Sequence, residues 1–180
     1  MYYKHHRMTK KNYSMTRENY SMTKKNIVIK RPEFTLYALG CDLKYNAGAI
    51  YVGTCRKGDY QRRLEQHKTG KGGAKFTTAY MYGDIEELYS EDHELEDLSD
   101  QSHLETNLTF CLMKYFGYTN VRGGFFSRVV LKSDPTLKKE HIDRWSDDPV
   151  EDIIDEIFNK IHDKYPDCKL VDNYFSLKNT

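Results

Sequence analysis

The chain predicts an α+β fold, and three observations carry that prediction. Two runs of β-branched and aromatic residues, Phe34–Leu39 and Ala49–Thr54, flank a segment holding Asn46 and Gly48. Three later stretches place apolar residues at helical spacing. A length of 180 residues suits one domain with a single sizeable core and some appendages.

The first 31 residues stand apart. Nine Lys and Arg face Glu18 alone there, a charge of +8, so with a whole-chain charge of +1 the remainder carries −7. Met8–Ser14, Met15–Ser21 and Met22–Asn26 repeat with a period of seven, but only Met and Tyr recur as apolar residues, which is too few for a coiled coil. Residues 1–31 therefore read as a basic, disordered arm: either a phosphate-binding tail or a repeat expansion without a role. Order is expected from about residue 32, with a compact body over 32–131 and a helical extension packed on it over 132–180.

Within the body, Phe34–Leu39 and Ala49–Thr54 predict a β-hairpin with a long loop. Tyr60–Lys68 predicts a helix, with Tyr60, Leu64 and His67 on one face and Gly70–Gly73 as its stop. A third strand is expected within Ala79–Ser90. From Asp84 to Asp100 the chain has nine carboxylates and no Lys or Arg, which reads as a solvated face and as a poor neighbour for a polyanion. Ser102–Phe116 reads as a helix with Leu104, Leu108, Cys111, Leu112 and Tyr115 in its stripe. Ser102 and Glu105 have the spacing of a capping box. Asn120–Gly124 reads as a loop, Phe125–Leu131 as extended, Pro149–Tyr165 as an amphipathic helix, and Leu170–Leu177 closes the chain.

Four cysteines occur without a Cys-x-x-Cys pair or a zinc-ligand spacing, as expected of free thiols in a reducing compartment. No apolar run reaches the length of a membrane span, and the basic start lacks a signal-peptide apolar segment. These features predict an intracellular protein of the cytoplasm or nucleus, not secreted and not in a membrane.

Chemistry gathers in one ordered set: Tyr37, Tyr51, Arg63, His67, Glu105 and Asn120. Tyr37 and Tyr51 on adjacent strands meet if the register puts them on one face. Arg63 and His67, four apart, share a helix face. Phenols, cations and a carboxylate are the parts needed to cut a phosphodiester. Each also has a plainer reading: sheet packing for the tyrosines, a surface charge for Arg63, a structural role for His67, the capping box for Glu105, and a turn for Asn120.

The order resembles the GIY-YIG nuclease family. Leu36-Tyr37 resembles the first motif, with Thr35 where glycine is usual. Tyr51-Val52-Gly53 resembles the second, Arg63-Leu-Glu-Gln-His67 the arginine-and-histidine helix, and Glu105 the metal-binding glutamate. Asn120 sits where several members carry a late asparagine, and Gly72–Thr77 is similar to a segment of structure-specific resolvases. The likeness covers about residues 33 to 130.

The resemblance implies a small three-stranded antiparallel sheet flanked by helices and an endonuclease acting on double-stranded or branched DNA. Tyr37 would be the general base, Tyr51 would orient water or phosphate, and Arg63 would stabilise the pentacovalent phosphate. His67 would be a hydrogen-bond partner of Tyr37, a phosphate contact or an alternative base. Glu105 would hold one Mg²⁺ or Mn²⁺, and Asn120 would fix the glutamate helix or the substrate strand. Arg56, Lys57, Lys68, Lys71, Lys75, Arg122, Arg128 and Lys132 would supply the phosphate track. A homodimer would suit cutting both strands. Two competing readings remain at this level: a non-catalytic nucleic-acid-binding module on the same scaffold, and an interaction domain whose acidic surface mimics DNA.

Overall fold

A computed structural model describes residues 33–45, 48–80, 85–94, 98–124 and 150–178. The chain divides into residues 1–30 and 31–180. The basic arm, the segment 125–149 and with it Arg128 and Lys132 lie outside the described residues.

The expected hairpin forms. β1 (Glu33–Cys41) turns through a short 3-10 segment, Leu43–Tyr45, into antiparallel β2 (Ala49–Arg56). Alternation sorts its residues onto two faces. Phe34, Leu36 and Ala38 of β1 share a face with Ile50 and Val52 of β2, whereas Tyr37, Leu39 and Cys41 share the other with Tyr51. Both faces are apolar, so the sheet is covered on both sides.

α1 (Tyr60–Thr69) ends at Gly70, which takes the left-handed conformation (φ 69°), as the sequence predicts. The third strand is displaced from its expected place. Ala79 and Tyr80 belong to a short helix, α2 (Lys75–Tyr80), and β3 runs from Glu86 to Glu94. Phe76 of α2 is buried on the tyrosine face, so packing draws this segment into a helix over the sheet. β3 pairs antiparallel with β1 and hides its strand character in the acidic run, because Glu91, Asp92 and Glu94 are exposed. It is an edge strand, and its charges discourage pairing with another chain.

α3 (Leu98–Phe116) starts a turn earlier than expected. Ser102 therefore lies inside the helix, and the capping-box explanation of Glu105 is lost. The expected three-stranded antiparallel sheet is also corrected. A two-residue strand, β4 (Val121–Arg122), adds parallel to β2, giving a mixed four-stranded sheet of order β3-β1-β2-β4. The α+β class stands.

α4 (Glu151–Lys164) and α5 (Lys169–Lys178) complete the main core. Ile154, Ile157, Phe158, Ile161, Val171 and Tyr174 join Leu108, Leu112 and Phe116 of α3 against Leu36, Ile50 and Val52. The main core thus lies under one sheet face. α1 and α2 cover the other, where Tyr37, Leu39, Cys41, Tyr51, Tyr60, Phe76 and Ile85 form a second, smaller cluster. No helix among the described residues is long and apolar enough to cross a membrane.

Candidate active site

The second cluster holds most of the candidate residues. Tyr37 pairs with Gly53, and Leu39 with Tyr51, so the two tyrosines are diagonal neighbours on one face, with ring centroids 6.4 Å apart. Gly53 makes this possible by close approach. A Cβ there would lie 2.6 Å from both Cζ and the hydroxyl of Tyr37, and 2.9 Å from Cε1 of Tyr51. The Tyr37 ring thus lies over bare backbone, which explains the glycine of Tyr51-Val52-Gly53.

α1 adds its own pair. His67 is 1% exposed, and its Nε2 lies 3.0 Å from the Tyr37 hydroxyl. Its ring also stacks at a tilt on Tyr51, with centroids 5.0 Å apart. His67 is thus placed as a hydrogen-bond partner of Tyr37, the first of the three roles expected of it. Arg63 is half-buried. One of its Nη atoms donates to Gln66 Oε1 at 2.7 Å and to the Gly72 carbonyl at 3.1 Å, and its charge acts on Tyr37. Tyr60 closes the other side of Tyr37, with centroids 5.3 Å apart, and donates to Glu87 on β3 at 2.7 Å.

These contacts set the proton affinities. Burial, and next the neighbouring Tyr51, push the Tyr37 phenol well above the ordinary range. The charge of Arg63 pulls it back. Tyr51 is pushed up to about 12 by burial first and by the charge of Glu105 second, with Arg63 opposing. His67 is lowered to about 4 by burial and then by Arg63, so near neutral pH its imidazole is uncharged.

Glu105 approaches from the main-core side, on α3. Thr54 Oγ1 donates to its Oε2 at 2.7 Å, and the Gly124 N–H donates to its Oε1 at 2.8 Å. Gln101, one turn back on α3, donates to Thr54 Oγ1 at 2.9 Å and holds that hydroxyl in place. Gly124 has φ +50°, and a Cβ on it would lie 2.6 Å from Thr106 Oγ1, so only glycine brings this N–H to the carboxylate. Burial raises the Glu105 pKa, and the two hydrogen bonds partly offset it.

The carboxylate fits one hard divalent cation. It is a fixed oxygen donor, half-buried, and has no ion-pair partner among the described residues, so no protein cation neutralises its charge. No group of three or more His, Cys, Asp or Glu suited to a metal occurs among the described residues. A cation here would keep most of its waters.

Asn120 is not brought to this cluster. Its Nδ2 donates to the Phe116 carbonyl at 3.2 Å, so it caps the far end of α3. At 1.5 Å rise per residue, that end is roughly 16 Å from Glu105. Asn120 thus sits at the end of the glutamate helix, away from the cluster. Arg122 is also reassigned from the phosphate track. It is 3% exposed, donates to the Tyr118 and Val121 carbonyls, and lies over the Phe76 ring at 5.2 Å. Lys57 is exposed but ion-paired with Glu33 and Asp92. Arg56, Lys68, Lys71 and Lys75 are exposed as a track requires.

Sequence reasoning missed Thr54, Thr77, Gln101 and Gly124, all of which hold a candidate group by one hydrogen bond or two. The glycine pair at 123–124 was the available signal for the last. A cleft of about 260 Å³ between Asp42, Lys44, Glu86 and Lys164 contains none of the six candidates. Comparison of the chain with protein-family models, with curated proteins and with solved structures gives no match.

Proposed function

We propose that this protein is a metal-dependent endonuclease of the GIY-YIG type that hydrolyses DNA phosphodiesters. The observation that carries the reading is the meeting of Tyr37, Tyr51 and His67 on one sheet face, with Arg63 one turn before His67 on α1 and Glu105 held by Thr54 of β2 on the other face. Packing alone needs no such set. The sheet and flanking helices are also those the resemblance implies, with β4 added.

Hydrolysis requires a water proton to be removed as the water attacks phosphorus. A free phenolate at Tyr37 is disfavoured by burial, so the base is the Tyr37–His67 pair. The phenol oxygen takes the proton from water while its own proton passes to His67 Nε2, 3.0 Å away. Arg63, half-buried and one turn before His67 on α1, meets the phosphate. Drawn toward it, the guanidinium stabilises the charge of the transition state and opens the phenol to the attacking water. Tyr51 orients the phosphate at the mouth of the cluster. Glu105 would hold Mg²⁺ or Mn²⁺, which would supply positive charge to the phosphate.

Charge distribution supports the DNA partner. Lys68, Lys71 and Lys75 are exposed on and beside α1 and α2, which cover the site's face of the sheet, Arg56 is exposed at the end of β2, and the acidic edge strand β3 repels a polyanion. The competing reading is a non-catalytic nucleic-acid-binding module, and the observation favouring it is the complete burial of Tyr37.

The test is incubation of the pure protein with plasmid, single-stranded and four-way-junction DNA, in Mg²⁺ or in chelator. Metal-dependent cutting of any of these supports the enzyme, and the preferred substrate separates site-reading from shape-reading. Binding of all three with no cutting in Mg²⁺ or Mn²⁺ moves the reading to the non-catalytic module.

A further inference from the structure

His67 has two ring nitrogens, and each faces a hydroxyl. Nε2 lies 3.0 Å from Tyr37, and Nδ1 lies 2.8 Å from Thr77 Oγ1. For Nε2 to receive the Tyr37 proton it must carry a lone pair, so the imidazole must hold its proton on Nδ1. What faces Nδ1 therefore decides whether the pair works as a base.

Thr77 is 0% exposed, and its hydroxyl has one proton. That proton goes to the Ala74 carbonyl at 2.8 Å. The hydroxyl is then left with only lone pairs to offer His67, and it accepts from Nδ1–H. On the other side, the nearby Arg63 is a donor only and offers the Tyr37 proton no acceptor, whereas Nε2 at 3.0 Å does. Hydrogen-bond polarity thus runs one way, from Tyr37 through His67 and Thr77 to the Ala74 carbonyl.

We infer that Thr77 is a positioning residue, which fixes His67 in the Nδ1–H tautomer so that Nε2 can accept the Tyr37 proton. This rests on the proposed nuclease reading for its catalytic consequence, but the tautomer itself does not. The Thr77 hydroxyl bonds His67 and the Ala74 carbonyl, not Tyr37, so it acts through His67. The Ala74 carbonyl also accepts from the Thr78 N–H at 3.0 Å and the Thr78 hydroxyl at 3.1 Å, so removing the Thr77 hydroxyl leaves it satisfied. Thr77→Val, of nearly the same shape, is therefore a clean deletion.

The test is nitrogen-15 NMR of the His67 ring in the full chain near neutral pH, with the resonances assigned by their loss in His67→Gln. Wild type and Thr77→Ser are expected to carry the proton on Nδ1. Thr77→Val is expected to move it to Nε2 and to lower the DNA cleavage rate by on the order of 10²-fold, with affinity for DNA in chelator unchanged. Thr77→Ser restores cutting. A wild-type proton on Nε2 overturns the inference without any variant, as does Thr77→Val that keeps the proton on Nδ1. A shifted tautomer with undiminished cutting overturns the positioning role. If wild type cuts nothing, the nuclease reading fails and takes the catalytic role with it, while the spectrum still reports the tautomer.

Discussion

Gly53 lies directly across the β1–β2 ladder from Tyr37, and a Cβ on Gly53 would stand 2.6 Å from the Tyr37 hydroxyl. The glycine is the floor of the phenol. Tyr37 is hemmed in by Tyr51, Tyr60 and His67, so it cannot yield without moving them.

Gly53→Ala should therefore destabilise the protein by about 1–3 kcal/mol through overpacking, and should suppress cleavage by displacing the Tyr37 oxygen. Chemical denaturation and cleavage assays check both. A stable, fully active alanine variant would show that the ring is not confined as described.

Tyr37→Phe keeps the ring and removes the hydroxyl. His67 Nε2 is then buried with no donor, at a cost of about 1–3 kcal/mol. Cleavage should fall on the order of 10²–10⁴-fold, with DNA affinity in chelator retained. A matching loss of affinity would make Tyr37 a binding group and not a base.

His67 gives a pH signature. Its pKa is 6.5 ordinarily and about 4 in the fold, so between those values the unfolded chain binds the extra proton. Its contribution to stability is complete above pH 6.5 and is lost as pH falls toward 4, by on the order of 3 kcal/mol in all. Urea titrations across this window should show a steeper fall for wild type than for His67→Gln. Equal slopes would mean that His67 is not held neutral.

The exposed cations divide from the buried one. Replacing Lys68, Lys71 or Lys75 by Gln should reduce the salt dependence of DNA binding by about one unit of slope each. Arg122→Gln should leave the slope unchanged and lower stability, because Arg122 bonds backbone carbonyls and stacks on Phe76. An altered slope for Arg122→Gln would place it back on the DNA.

Much of this was legible in the sequence because periodicity reports burial. The β-branched and aromatic runs gave the β1–β2 hairpin, the register then put Tyr37 and Tyr51 on one face, and the spacing of four joined Arg63 to His67 on α1. α2 was not legible: its six residues are too few to show a period, and Phe76 and Thr77 declare themselves only against the sheet. β3 was obscured by its own acidic side chains, which belong to an edge. β4 has two residues and no pattern. Asn120 was drawn toward the site by its place in the order, whereas Gly124, which reaches Glu105, contributes a backbone N–H that no side chain advertises.

Glu105 tests the central claim most directly. Its carboxylate is oriented by Thr54 and Gly124 and bears a charge that no described side chain neutralises. Glu105→Gln keeps the shape and removes the charge, and Glu105→Ala removes both. The decisive measurement is DNA cleavage in Mg²⁺ by these two variants beside wild type, with DNA binding measured in parallel. The account predicts cutting by wild type alone, abolished by chelator, with binding intact in all three proteins. Undiminished cutting by either variant would contradict it.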